Sequence, residues 1–539
     1  MDLLNSSQQK IQDLWRQLWG NELHFPNNGA LLLYIRVGII IGIYFVVDRL
    51  LMHLSNLPLG CYEEPFIFWG MLRGAFGTWF VFPTVFLLVL AIVFHRQLSD
   101  QWMNIEGGRW LRLLITLAAG ILAWSFATYD FNLYFNQGHY VDRILLLAFV
   151  LLIYWRPAFV LPFLLLLLPV IWQFTALIGY SWAAPFLLLR ILVLFVTCFF
   201  LYVPIKRFPL NDFVFIVGIL FAAHYWLSGW GKFNLDWIRY DQLFLVLPSA
   251  YANGWLSFLD AETIVSIVHF FSPFNGLMKA MVLGLEVGSV FFFFHRSLPR
   301  IFLGGWALFH IGILFFSGIS FWMWTLMDLC LLWLFFRKDA FSQLPIFTKA
   351  HAFLAACLIF GGSYWCKPVQ LSWYDLPFSY SYHIKALTIT DEVIDLPLSF
   401  FAPYEYQFIM RGLAYLTSHP MLYVQEDDPT SPRRLMAIQS KEEFFELEKS
   451  EGWNSYEAEW AADFDLFIKR FLSNWNDRQN KRTYLSYLRA PGLLWNYPLR
   501  LPAGGPVPLK QITIFQITSL FSQGEYAEIR NIPIRTVNF

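Results

Sequence analysis

The sequence predicts a mainly α-helical protein, in which a polytopic transmembrane bundle of about eleven spans precedes an α+β domain outside the membrane. The first observation is composition: of 539 residues, 57% are hydrophobic and only 14% are charged, with a mean hydropathy of +0.50. Soluble domains are much more polar than this. The second observation is a series of apolar runs of membrane-spanning length, and the third is a change to mixed polar sequence after residue 366.

Overall charge and cysteine usage exclude several classes of partner. The chain has 38 basic and 38 acidic residues, so its net charge is zero and gives no reason to expect a nucleic-acid partner. None of its five cysteines shows a CxxC spacing. We therefore expect no metal site and no disulfide-dense fold.

The first 28 residues contain no cleavable signal pattern, so the spans themselves must direct membrane insertion. An amphipathic helix is predicted within 1–28. Its apolar stripe suits a helix lying in the membrane interface, or equally one packed on the protein's own cytoplasmic surface. The stripe consists of Ile11, Leu14, Trp15, Leu18 and Trp19.

The transmembrane domain is predicted over 29–366, and each apolar run is near the roughly 20 residues that a bilayer core requires. The predicted spans are 30–52, 67–95, 110–128, 142–155, 158–177, 184–204, 211–230, 276–295, 301–317, 319–336 and 349–364.

Basic residues predict the orientation, because they concentrate in alternate loops such as "YWRP", "PIKRFP" and "HRSLPR". The positive-inside rule places these loops and the N-terminus in the cytoplasm. The loops "HLSNLPLGCYEEP" and "DFNLYFNQGHYVDR" then face outward, as does the section 231–275. An odd number of spans also places the C-terminal domain, 367–539, outside.

The C-terminal domain is predicted to contain both strands and helices. Segments "HIKALTITDEVIDLPLSFF" and "LKQITIFQITSLFSQGEYAEIRNIPIRTVNF" alternate apolar and polar residues, as strands do. Segments "SKEEFFELEKSEGW" and "EAEWAADFDLFIKRFLSNW" have helical periodicity and acidic first turns. About 170 residues is a normal size for one α+β domain.

The stretch "HYWLSGWGKFNLDW" contains Lys232, an isolated amine at the outward end of the seventh span. A lysine there can simply extend its ammonium to the interface between tryptophans. Outward loops of this chain are otherwise poor in basic residues, however, and His139 lies at a matching depth before the fourth span. Since burial lowers the pKa of an amine, Lys232 and His139 form a candidate acid/base pair.

Other polar residues within predicted spans are candidates for a cavity lining or for buried structural pairs. Glu286 and His310 lie on consecutive spans, and His224 lies about two helical turns before Lys232. Arg190 and Asp328 are also predicted to be intramembrane. Of the cysteines, Cys61 and Cys366 are expected on the outward side, where they form either a disulfide or two free thiols.

Several segments together resemble the vitamin K-dependent gamma-glutamyl carboxylase and the bacterial HTTM proteins that share its transmembrane domain. These are the first span with Arg36 and Asp48, "LGCYEEP", "NQGHYVDRILLLAF", "YWLSGWGKFNLDW", "FFSPF" and "FHIGILFFSGISFWMW". The similarity covers roughly 30–340. It implies an integral protein of the bacterial cytoplasmic membrane.

The resemblance implies a reaction in which Lys232 deprotonates a lipid-soluble, vitamin K-like hydroquinone. Its anion reacts with O₂ to give a base that removes a substrate proton, and His139 assists the later step with CO₂. The substrate is expected to be a peptide or small molecule at the outer membrane face, and no metal is expected. Candidate residues for binding the quinone are His224, Trp230, Asp236, Trp237, Glu286 and His310.

The chain also departs from that family in three places. Gly138 precedes His139 where the family usually has asparagine, extra apolar sequence separates His139 from Lys232, and the exterior domain is shorter. Two functions therefore remain open. One is a carboxylase-like membrane enzyme, and the other is a non-catalytic transporter or lipid-binding subunit built on the same scaffold.

Overall fold

The computed structural model describes most of the chain after residue 28. The described residues are 29–55, 57–76, 85, 89, 92, 93, 108–129, 131–175, 186–205, 208–234, 236–240, 242–336, 345–365, 376–405, 413–425, 428, 430–478, 488–491 and 507–539. The predicted amphipathic helix, most of the second predicted span after residue 76, and Cys366 lie outside them.

The first half of the chain is helical, as predicted. Its helices are α1 (Gly29–Ser55), α2 (Ile67–Phe76), α3 (Gly108–Ala127), α4 (Tyr140–Trp155), α5 (Val160–Trp172), α6 (Phe186–Ile205) and α7 (Leu210–Asn234).

The helical part continues to residue 365. Its remaining helices are α8 (Trp237–Tyr240), α9 (Val246–Ala252), α10 (Ala261–Phe271), α11 (Asn275–Val287), α12 (Leu298–Ser317), α13 (Trp322–Leu331), α14 (Lys349–Phe360) and α15 (Gly362–Trp365).

Five of the described helical segments are long and apolar enough to cross a membrane. They are Gly29–His53, Gly108–Ala127, Leu210–Asn234, Ala261–Phe291 and Leu298–Ser317. Shorter apolar helices, such as Pro157–Trp172 and Trp322–Phe336, occupy several other predicted spans. The protein is therefore a helical membrane protein.

The exterior segment predicted as 231–275 differs from a simple loop. It folds into α8, α9 and α10. The apolar helical segment that contains most of the next predicted span is Ala261–Phe291, so it begins with α10. The sequence predicted that this span begins at 276. In the structure Pro273 occupies the first turn of a short 3-10 segment, Ser272–Phe274, where its missing N–H is tolerated.

The C-terminal part contains a four-stranded antiparallel sheet of order β2-β1-β3-β4, which confirms the predicted strands. The strands are β1 (Phe378–Thr388), β2 (Val393–Leu396), β3 (Leu509–Ser522) and β4 (Glu525–Asn538). A two-residue turn, Gln523-Gly524, joins β3 to β4 with φ of 52° and 81°. Positive φ at both positions matches the twist of a tight hairpin.

The two helices predicted from periodicity are also confirmed. The helices of this part are α16 (Ser431–Met436), α17 (Lys441–Glu451) and α18 (Ala458–Arg478). Ser440 caps α17 by accepting a hydrogen bond from the Glu443 N–H, as its serine and acidic first turn predict.

The C-terminal part packs directly on one end of the membrane helices. Arg470 on α18 donates to the Tyr134 carbonyl, and Asn474 donates to the Leu133 carbonyl in the loop after α3. A single cluster of buried apolar side chains includes residues from both parts, among them Phe126 and Phe467. Both parts therefore share one apolar core.

Cys61 is a free thiol in the structure. Its proposed partner Cys366 is outside the described residues, and the structure shows no disulfide at Cys61.

Candidate functional site

α7 presents three positions on one face, because residues four and three apart share a helix face. These are Tyr225, Gly229 and Lys232, and all three are buried. Lys232 is 7% exposed. The helix is built almost wholly of apolar residues around them. This face carries two polar groups into the helical bundle.

Lys232 is bound by a carboxylate from a neighbouring helix. Its Nζ donates to both carboxylate oxygens of Glu286 on α11, at 2.6 and 2.8 Å. Glu286 is 2% exposed. Leaving either charge alone in this apolar place would cost several kcal/mol, so each group requires the other.

Trp237 covers the same cluster from α8. Its ring centroid is 5.7 Å from Lys232 Nζ and 4.8 Å from Nζ of a second buried lysine, Lys279. Two amines thus face one indole ring, which favours cations over its surface. Trp237, predicted to bind the quinone, is a wall of the Lys232 cluster.

A second polar cluster lies about two helical turns along α7 from Lys232. The Tyr225 hydroxyl is 2.6 Å from His310 Nε2 on α12 and 3.1 Å from Asp328 Oδ2 on α13. Asp328 is fully buried and His310 is 6% exposed. Trp306 stacks on the Tyr225 ring with centroids 3.9 Å apart, which fixes the ring plane.

Glu286 and His310, expected to line one pocket, have different hydrogen-bond partners. Glu286 binds Lys232, and His310 binds Tyr225. Consecutive spans do not determine which face of each helix points inward, so sequence order alone could not distinguish these partners.

The other residues predicted to bind the quinone lie around these clusters. His224 stacks on Trp324, with ring centroids 4.2 Å apart. Trp230 is 45% exposed on the outer surface of α7. Asp236 is a partly exposed residue at φ +51° whose carboxylate is 3.9 Å from Arg239.

His139 belongs to a different cluster, at the start of α4. Its Nε2 lies 2.9 Å from the Tyr62 carbonyl and its Nδ1 lies 3.3 Å from the Tyr129 hydroxyl. The carbonyl can only accept, so Nε2 carries the proton and Nδ1 accepts from Tyr129. Burial lowers the pKa of His139 to about 4, which makes the ring neutral at pH 7.

Arg143 organises the backbone around His139. Its guanidinium donates to the carbonyls of Ala127, Gly138 and Tyr129, and it lies over the Tyr129 ring at 4.3 Å. A fully buried guanidinium is stable only when its N–H groups donate hydrogen bonds in this way. The left-handed backbone of His139, at φ +46°, is held in this cage.

The structure does not join His139 and Lys232 in one cluster. Among the described residues, His139 bonds to Tyr62 and Tyr129, whereas Lys232 bonds to Glu286. A shared depth in the membrane therefore did not imply contact.

Sequence reasoning missed three residues of these clusters: Tyr225, Arg143 and Lys279. Tyr225 shares the helical face of Lys232, and a basic residue within an apolar run, such as Lys279, is itself a signal of function. Arg143 follows His139 by one helical turn. Helical spacing could have identified Tyr225 and Arg143, and its charge within an apolar run could have identified Lys279.

In comparisons with protein-family models, curated proteins and solved structures, nothing matches the chain. Among the described residues, no group of three or more His, Cys, Asp and Glu side chains could hold a metal ion.

Proposed function

We propose that the protein is an integral-membrane enzyme in which Lys232 is the general base for a lipid-soluble hydroquinone. The observation that carries this proposal is the buried Lys232–Glu286 pair at the end of an apolar helix. A functional amine at a membrane-embedded site requires a partner of this kind, because an unpaired ammonium there would be unstable.

The pair also supplies a way for the amine to become a base. Transfer of one Lys232 proton to Glu286 leaves two neutral groups in an apolar environment, which avoids separated charges. The neutral amine then accepts a hydroxyl proton from the hydroquinone. After this step the pair holds one more proton than before, and the substrate carries the negative charge.

We propose that a flat ligand enters from lipid along an exposed aromatic surface of α7, on a different face of this helix from Lys232. Trp226, Trp230 and Phe233 form a ladder of nearly parallel rings, with centroids 5.7 and 5.8 Å apart. Trp230 and Phe233 are 45% and 60% exposed. An aromatic head group can stack on such rings before reaching the amine. When bound, a hydroquinone and O₂ would supply the oxidative chemistry that the carboxylase resemblance implies.

We assign His139 to the later step with CO₂ on the resemblance alone. Both of its ring nitrogens are already hydrogen-bonded, and its cluster contacts the C-terminal part through Tyr404, whose hydroxyl donates to Asn132. A peptide or small-molecule substrate held between the helix ends and the C-terminal domain would reach His139 there. The proposed location is the cytoplasmic membrane of a bacterium, with this domain outside.

The test is Lys232→Arg in purified protein, assayed for oxygen uptake with reduced naphthoquinones and benzoquinones. Arginine can keep the ion pair with Glu286, but it cannot deprotonate near neutral pH. We expect oxygen uptake to fall by about 100-fold or more, with the thermal unfolding temperature nearly unchanged. Lys385→Arg, on the exposed sheet, is the matched control and should retain full activity.

Equal oxygen uptake in Lys232→Arg and the unmutated protein would disprove the assignment of Lys232 as the base.

A second function, proton-coupled transport, is favoured by one observation: ionisable residues of four helices meet inside an apolar bundle. Proton-coupled transporters use such intramembrane groups. No oxygen uptake with any quinol, together with proton-driven solute uptake into proteoliposomes, would favour this second function.

A further inference from the structure

Asp328, Tyr225 and His310 form a hydrogen-bonded chain in that order, and the terminal polar atom at each end of the chain has no partner among the described residues. Its inner atoms are all engaged: Asp328 Oδ2 with the Tyr225 hydroxyl, and that hydroxyl with His310 Nε2. The outer atoms, Asp328 Oδ1 and His310 Nδ1, are buried and have no hydrogen-bond partner among the described residues. A buried polar atom without a partner is rare in a structural network.

We propose that Tyr225, His310 and Asp328 form an intramembrane proton relay that begins at His310 Nδ1 and ends on Asp328. This function is separate from the base assigned to Lys232 and does not depend on the identity of the substrate. The ligand of the site is a proton.

The transfer balances within the three side chains. A proton binds His310 Nδ1, the Nε2 proton passes to the Tyr225 oxygen, and the Tyr225 proton passes to Asp328 Oδ2. His310 and Tyr225 end neutral, each with one exchangeable proton, and Asp328 becomes a carboxylic acid. Net charge changes from negative to zero, and no electron moves.

The distances fit transfer between neighbouring side chains of this chain. The contact of 2.6 Å between Tyr225 and His310 is short enough for transfer without a change of rotamer. His310 Nε2 and Asp328 Oδ2 are 4.0 Å apart, too far for a direct hydrogen bond, so Tyr225 must mediate between them. Stacking on Trp306 holds the tyrosine oxygen in place.

The surroundings favour the loaded, neutral state. Among the ionisable groups outside the cluster, Glu286 on α11 acts electrostatically on Tyr225, and His224 on α7 acts on His310. Arg190 on α6 and Lys232 act on His224. Glu286 is already paired with Lys232, so it adds little net charge. An apolar bundle disfavours the isolated carboxylate, and the relay therefore rests with Asp328 protonated.

Infrared spectroscopy of the full chain in lipid nanodiscs tests the relay without any substrate. The expected result is a carbonyl band of a protonated carboxylic acid that Asp328→Asn removes. Tyr225→Phe should keep this band but slow its hydrogen–deuterium exchange by about 100-fold, because the path through His310 is broken. His310→Gln should slow the exchange to a similar extent.

Tyr44→Phe is the matched control, since it removes the hydroxyl of another buried tyrosine, on α1. This variant should exchange at the unmutated rate. The proposal fails if Asp328→Asn leaves every acid band in place, or if Tyr225→Phe and His310→Gln exchange as fast as the unmutated protein. Tyr225→Phe keeps its ring stack on Trp306, so the relay remains testable even if Asp328→Asn does not fold.

Discussion

Gly229 determines how closely α7 and α11 approach each other. A Cβ added at this position would lie 2.8 Å from the Glu286 Cβ and 3.0 Å from the Val287 backbone nitrogen. Real Cβ atoms essentially never come within 3.0 Å of another heavy atom, and the Glu286 Cβ cannot move away without its backbone. The absence of a side chain at Gly229 is therefore what lets Glu286 reach Lys232, one helical turn away on the same face.

Gly229→Ala should separate the two helices. Overpacking of this kind costs about 1–3 kcal/mol, although alanine is the better helix former. We expect a lower unfolding temperature and lower activity of any reaction that uses the Lys232–Glu286 pair. Gly231→Ala is the control on the same helix, since its added Cβ meets nothing within 4 Å. A similar unfolding temperature for both variants would contradict this account of the helix contact.

At the level of residues, the sequence identified buried polar groups better than their partners. Lys232, Glu286 and His310 were all recognisable as charged or polar groups within apolar runs. Their pairing depends on helix rotation and on the close approach at Gly229, and neither property is encoded within one span. For the same reason, the sequence could not show whether His139 and Lys232 are in contact.

Asp142 on α4 caps the N-terminus of α2, a helix that is distant from it in sequence. Its carboxylate accepts hydrogen bonds from the Ile67 and Phe68 N–H groups, at 3.0 and 3.1 Å, at the first turn of α2. The residue just before that helix is Phe66, which cannot cap it. A side chain from α4 therefore supplies the cap and also a favourable negative charge at the helix N-terminus.

Asp142→Ala should leave these N–H groups without a partner in a buried place. The expected loss is about 1–2 kcal/mol, which is typical of a lost N-cap, and α2 should become less ordered. Thermal unfolding in detergent measures the loss, and Asp463→Ala on the exposed face of α18 is the control. An unfolding temperature equal to that of the control variant would show that the cap contributes no stability.

Secondary structure was most predictable where periodicity is strong and the chain is amphipathic. The strands and helices of the C-terminal part follow their polar and apolar alternation. Apolar spans carry no such alternation, so their limits were less accurate. The helices of 237–271 lie in a section that was predicted to be an outward loop, and the short helices α8 and α9 are stabilised by packing on neighbours.

At the scale of the whole molecule, segments distant in sequence meet on one side of the bundle. Arg470 on α18 contacts Glu63 and the Tyr134 carbonyl, and the side chain of Phe521 on β3 packs beside α10. These segments are the ones that the distribution of basic residues predicts to face outward. Their meeting is consistent with the proposed orientation, because all of them must then be on the same side.

The eleven-span arrangement, with the N-terminus inside and the C-terminus outside, is tested by labelling single cysteines in intact cells. All five native cysteines are first replaced. Gln137→Cys and Glu392→Cys should react with a membrane-impermeant maleimide, while Arg156→Cys and Arg296→Cys should react only after the membrane is permeabilised, because basic loops remain in the cytoplasm. Labelling of Arg156→Cys in intact cells would reverse the orientation and place the C-terminal domain inside. A reaction at Gln137→Cys but not at Glu392→Cys would instead contradict the packing of the C-terminal sheet on the outer helix ends.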